Sequence, residues 1–91
     1  KIVLHPDVVD AILYHHERND GSGYPKRLKG EEIPRFAKII AVADVFEALT
    51  GERPYHEAMT INSAAIVMRD LGRKQFENRY IEALVEFFKK V

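Results

Sequence analysis

The chain has no cysteine and no tryptophan. Without thiols there is no disulfide framework and no thiolate metal site, so any metal must be held by histidine, carboxylate or backbone oxygen. That donor set suits harder ions such as iron or manganese, or an imidazole-rich zinc site. Neither sign of charge is in surplus. Fourteen Lys and Arg face fourteen Asp and Glu, which argues against a dedicated DNA-binding protein or an acidic tail. No apolar run approaches the ~20 residues that span a bilayer, and no secretory pattern is visible. With 91 residues the chain holds one domain at most, and it begins at Lys1 rather than Met. We expect part of a longer protein, in a cytoplasmic setting, with no membrane insertion.

The balance of charge is uneven along the chain. Between Arg18 and Lys38 there are six basic residues and three acidic ones. Such a surplus can attract a phosphate-bearing ligand, although a solvated surface is the commoner outcome.

Hydrophobic spacing predicts four helices. Pro6 stands where a first-turn residue lacks an N–H at no cost, and Val8, Ile12 and His15 repeat at helical intervals, as do Val9, Leu13 and His16. Both histidines are therefore expected on the inward face of an amphipathic first helix. Asn19 to Pro34 carries Gly21, Gly23, Pro25 and Gly30 without sustained period and reads as a loop. Pro34 opens a second helix whose only charges from Phe36 to Leu49 are Lys38, Asp44 and Glu47, as expected at the centre of a bundle. Thr60 is an N-cap for a third helix burying Ile61, Ala64, Ala65 and Met68, with Gly72 as its stop. A last helix from Asn78 to Lys90 buries Ile81, Leu84, Val85 and Phe88. The class is all-α.

Several residues need a chemical explanation. Asp44 lies among Ala41, Val42, Ala43, Val45 and Phe46, where an ionised carboxylate is costly unless paired or bound to metal. A metal ligand, an ion pair with Arg35, Lys38 or Arg53, and a rim position all remain open. His15 and His16 read either as hydrogen-bonded core histidines or as ligands. Adjacent helical residues point about 100° apart, which suits two neighbouring ions, or one metal and one phosphate, better than one chelated ion. The succession of two histidines, an acidic residue and a glycine loop favours ligation. In the loop, Gly21 and Gly23 permit close backbone approach to a ligand, and Tyr24 can stack on a base or bond a phosphate. Arg53 can grip phosphate bidentately, or serve only in a surface ion pair.

The run His15-His16-Glu17-Arg18-Asn19-Asp20-Gly21-Ser22-Gly23-Tyr24-Pro25 resembles the block that supplies the second half of the name of HD-GYP domains. The likeness continues through Ile39 to Thr50 and Arg53-Pro54-Tyr55, and fades in the last two helices. It implies that residues 1–91 are the carboxy-terminal portion of one HD-GYP domain, within a larger helical bundle. It further implies a bacterial signalling output module, such as a two-component response protein, that hydrolyses cyclic di-GMP to the linear dinucleotide or to GMP. Two or three iron or manganese ions serve that family. By this resemblance His15, His16 and Asp44 are metal ligands, Gly23, Tyr24 and Pro25 form the loop beside the nucleotide, and Arg53 contacts the ligand. A 3′,3′-cyclic GMP-AMP substrate fits the same pattern.

Two departures stand out. The His-Asp pair, a lysine, a further histidine and an acidic ligand of the family belong upstream of Lys1, and His56 stands where the family commonly has Lys or Arg. They motivate a second reading, an inactive module that docks a diguanylate-cyclase-type partner through Tyr24. A third expectation concerns the 91 residues in isolation: inactive, with an uncovered central helix and apolar surface that favours self-association.

Overall fold

Pro6 opens the first helix as its ring geometry requires. The computed structural model describes residues 3–72 and 74–90. In it α1 spans Pro6–Tyr14, and the His5 side chain caps it by accepting the Asp7 N–H at 3.1 Å. A short 3₁₀ turn, Gly30–Glu32, sits in the long loop that follows. α2 spans Arg35–Thr50, α3 Ile61–Leu71 and α4 Asn78–Lys89. Thr60 caps α3 by accepting the Ser63 N–H at 3.1 Å. Among the described residues there is no strand, only the isolated bridges Asp20–Lys29 and Arg53–His56. The chain is all-α, and no helix described is long and apolar enough to cross a membrane.

The core lies where α2, α3 and α4 meet. Ala41, Val42 and Phe46 of α2 pack with Ala64, Ala65 and Met68 of α3 and Ile81 and Val85 of α4, and Phe76 closes one end. Each large apolar side chain fully buried here contributes about 1.5–3 kcal/mol. The small alanines let the helices approach. Gly72 does the same where α3 ends, since a Cβ there would press into Ile81 Cδ1. One ion pair is set into this body: the buried Lys38 donates to Glu77 Oε1 at 3.0 Å.

Three expectations need correction. α1 ends at Tyr14, with His15 as its C-cap, so the histidines follow the helix rather than extend it. The stripe of α1 is not inward: Val8, Val9, Ile12 and Leu13 are exposed and only Ala11 is buried. Among the described helices α1 packs on α2 alone, which leaves the side carrying these residues exposed. Nor is α2 buried all round. It buries Ala37, Lys38, Ala41, Val42 and Phe46, while Phe36, Ile39 and Ile40 remain exposed. Val8 and Ile12 of α1 join Phe36, Ile39 and Ile40 of α2 in an open apolar groove of about 520 Å³. The apolar surface expected of an uncovered central helix is thus present. The radius of gyration is 13.9 Å, against about 12 Å for a closed domain of this length.

Candidate functional site

The end of α1 and the loop after it form one hydrogen-bonded unit. The Arg18 guanidinium turns back to donate to the His15 and Glu17 carbonyls, both at 3.1 Å, and lies over the Phe76 ring at 4.7 Å. The Asn19 N–H donates to the Gln75 carbonyl at 2.9 Å, which ties the loop to the segment before α4. Asp20 Oδ1 accepts the Ser22 N–H at 2.9 Å and the Ser22 hydroxyl at 2.6 Å, and these bonds hold the Asp20 carboxyl below its ordinary range. Gly21 takes φ +81°, a conformation other residues adopt only at a cost. Gly23 is required for space: a Cβ there would lie 2.6 Å from Glu17 Cα and 2.7 Å from Arg18 N.

That close approach brings the loop back onto the histidines. The Tyr24 N–H donates to the His16 carbonyl at 3.3 Å. The Tyr24 ring then stacks on the His16 imidazole, 4.9 Å between centroids and 13° between planes. The His15 and His16 rings are 4.0 Å apart, closer together than two separately directed helical side chains would be. His15 Nδ1 donates to the Ile12 carbonyl at 2.8 Å. A carbonyl can only accept, so the proton sits on Nδ1, and among the described residues no hydrogen bond engages Nε2, the nitrogen left to ligate. His16 has its pKa lowered, first by desolvation, then by His15 and Arg18, with Asp44 opposing. The shift favours the neutral imidazole, the form in which histidine ligates metal. A polar hollow of about 240 Å³ opens here between His16, Arg18, Tyr24 and Gln75.

Glu17 is the residue that spacing alone did not single out. On the first-helix pattern it belongs to the polar face, yet it is only 3% exposed. Its carboxylate accepts the Lys26 N–H at 2.6 Å and the Leu28 N–H at 2.8 Å. Two charge-assisted bonds offset its burial. A sequence signal existed: an acidic residue followed by a glycine loop, whose turned backbone leaves amides without ladder partners.

The other candidates lie on α2 and beyond it. Asp44 is exposed, and no hydrogen bond or ion pair engages it among the described residues. Among the described residues the buried ion pair is not formed: Lys38 is on Glu77 and Arg53 on Glu47. Asp44 is near enough to His16 to act on it electrostatically. Arg53 Nη2 donates to Glu47 Oε1 at 2.6 Å, and Nη1 to the Glu52 carbonyl at 3.1 Å. His56 Nδ1 donates to the Glu57 carbonyl at 2.8 Å. Gly23 and Tyr24 stand together with His16; Arg53 shares no hydrogen bond with them among the described residues.

The donors fit a divalent metal in kind, being imidazole and carboxylate. They do not suffice in number. Among the described residues no three His, Asp or Glu side chains converge on one point.

The HD domain family model matches residues 2–79. The chain belongs to the HD domain family. Its His15–Pro25 block and its relatives place it with the HD-GYP type. It is 51% identical over 73 residues to the cyclic di-GMP phosphodiesterase response regulator RpfG of Xanthomonas campestris, a match covering 80% of this chain and 19% of that protein. It is 40% identical over 82 residues to a cyclic di-GMP phosphodiesterase of Thermotoga maritima, covering 90% of this chain and 22% of that one. To 3′3′-cGAMP-specific phosphodiesterase 1 of Vibrio cholerae it is 54% identical over 55 residues, covering 60% of the chain and 13% of the relative. This HD domain chain therefore spans about a fifth or less of the length of these relatives.

Proposed function

We propose that this chain supplies part of the active site of a metal-dependent phosphodiesterase that hydrolyses cyclic di-GMP. The observation that carries the reading is the Tyr24 ring seated on His16, beside a His15 whose Nε2 makes no hydrogen bond among the described residues. His15, His16 and Asp44 would hold divalent iron or manganese, in a binuclear or trinuclear centre completed by ligands from elsewhere in the protein. Such ions, when bound, activate water and stabilise charge on a phosphoryl group. Gly23, Tyr24 and Pro25 line the nucleotide, Tyr24 offering an aromatic face to a base. Arg53 takes a phosphate when its guanidinium leaves Glu47.

The test is hydrolysis of cyclic di-GMP by the full-length protein with manganese or iron, in parallel with His16→Ala and Asp44→Ala. Loss of turnover in both variants is expected. Full activity in either removes that residue from the ligand set, and no activity in the wild type overturns the reading. Running 3′,3′-cyclic GMP-AMP beside it decides the substrate, since relatives carry both names.

A second reading, docking of a diguanylate-cyclase-type partner without catalysis, is favoured by the 54% exposure of Tyr24. Pull-down of such a partner with wild type and Tyr24→Ala separates the two. Binding unchanged by the substitution removes this reading.

A further inference from the structure

Arg27 is the one non-glycine described residue with positive φ, at +56°. Left-handed backbone disfavours an L-residue with a Cβ, so something must hold it there. The amides of its two neighbours point at the same group: Lys26 N–H and Leu28 N–H both donate to the Glu17 carboxylate. Glu17 directly follows His16, and Lys26 follows Pro25 and Tyr24. One buried carboxylate thus clamps the far limb of the loop beside the candidate ligand His16. The stack joins the residue just before Glu17 to the one two positions before Lys26.

We propose that Glu17 is a positioning residue, which pins the loop on either side of left-handed Arg27 and so holds Tyr24 over His16. Its importance for ligand binding rests on the phosphodiesterase reading above; the clamp itself does not. A glutamine is the closest probe. It keeps one acceptor oxygen, but turns an NH₂ toward the second backbone N–H, leaving that donor unmatched. Adding Arg27→Gly removes the cost of the left-handed turn, so the loop no longer needs both bonds to keep its course.

The experiment is nuclear magnetic resonance on the full chain. It reads amide exchange at Lys26 and Leu28, and the ring-current shift that Tyr24 imposes on the carbon-bound protons of His16. Glu17→Gln should raise exchange at these amides by about tenfold or more and remove most of the His16 shift. Glu17→Gln with Arg27→Gly should recover that shift. Affinity of the full-length protein for cyclic di-GMP should fall with the shift and return with it, while metal content stays constant. A His16 shift unchanged in Glu17→Gln overturns the clamp. A shift lost and not recovered with Arg27→Gly overturns the role given to Arg27. Exchange that rises without any change in ligand affinity leaves Glu17 structural and overturns positioning. If Glu17→Gln unfolds, Glu17→Asp, which withdraws the charge by one methylene, carries the same readout, and an unchanged shift there is equally decisive. A wild type that binds no cyclic di-GMP sinks the phosphodiesterase reading, while exchange and shift still decide the clamp.

Discussion

The His16 imidazole carries the Tyr24 ring on its face, with 4.9 Å between centroids. This contact joins the end of α1 to the glycine loop, which places a candidate ligand beside a candidate nucleotide-binding side chain. Neither residue is deeply buried, so their relation is set by the loop backbone beneath them.

The first prediction concerns that backbone. Gly23→Ala puts a Cβ against the Glu17 and Arg18 backbone, and the loop must move. We expect a loss of about 1–3 kcal/mol in urea unfolding, together with loss of the Tyr24–His16 stack. A variant of wild-type stability with its stack intact would show that the loop yields without effect.

A second prediction concerns metal. Desolvation, His15 and Arg18 together lower the His16 pKa. The neutral imidazole is thus available throughout the neutral range, and binding should weaken as pH falls below about 6.5, the ordinary histidine value, through the lower one. Inductively coupled plasma mass spectrometry of the purified protein should find iron or manganese, lost after the double change His15→Ala, His16→Ala. Metal retained by that variant would place the site elsewhere.

Arg53 and Glu47 provide the third. The guanidinium is engaged by Glu47 at 2.6 Å. A phosphate must compete with that carboxylate, so Glu47→Gln should tighten cyclic di-GMP binding severalfold, and Arg53→Ala should weaken it. Calorimetric titration of both variants checks the sign. Weaker binding in Glu47→Gln would mean that the pair acts as a unit.

The fourth concerns acid stability. Lys38 donates to Glu77, and this bond is the main reason the Glu77 carboxyl titrates below its ordinary range. A carboxyl depressed in the folded state stabilises fully above its unfolded pKa, about 4.3, and that contribution disappears as pH falls through the folded value. Glu77→Gln should cost about 2 kcal/mol near neutral pH, because it leaves the Lys38 ammonium buried without a charged partner. It should also flatten the decline in melting temperature below about pH 4.5. Circular dichroism melts across that range measure both effects. An unaltered acid slope would mean that other carboxylates govern it.

The sequence by itself determined the four helices, because their signals are local. Pro6, Thr60 and Gly72 act within a turn of the helix they bound, and the period that buries Ala64, Ala65 and Met68 is written in neighbouring residues. The histidine pair and the glycine loop were legible for the same reason, as an unusual run of chemistry within eleven positions. What only the tertiary structure decided is which faces are covered. Asp44 and Ile40 are exposed although their neighbours in sequence are apolar, and Val8 and Ile12 are exposed although their spacing marks an inward stripe. Glu17 is buried although it is charged, because folding of the loop delivers two amides to its carboxylate. Periodicity marks a face as apolar, but burial requires a second surface to lie against it. That surface comes from residues distant in the chain, and the amides around Glu17 reach it only when the loop that follows folds back.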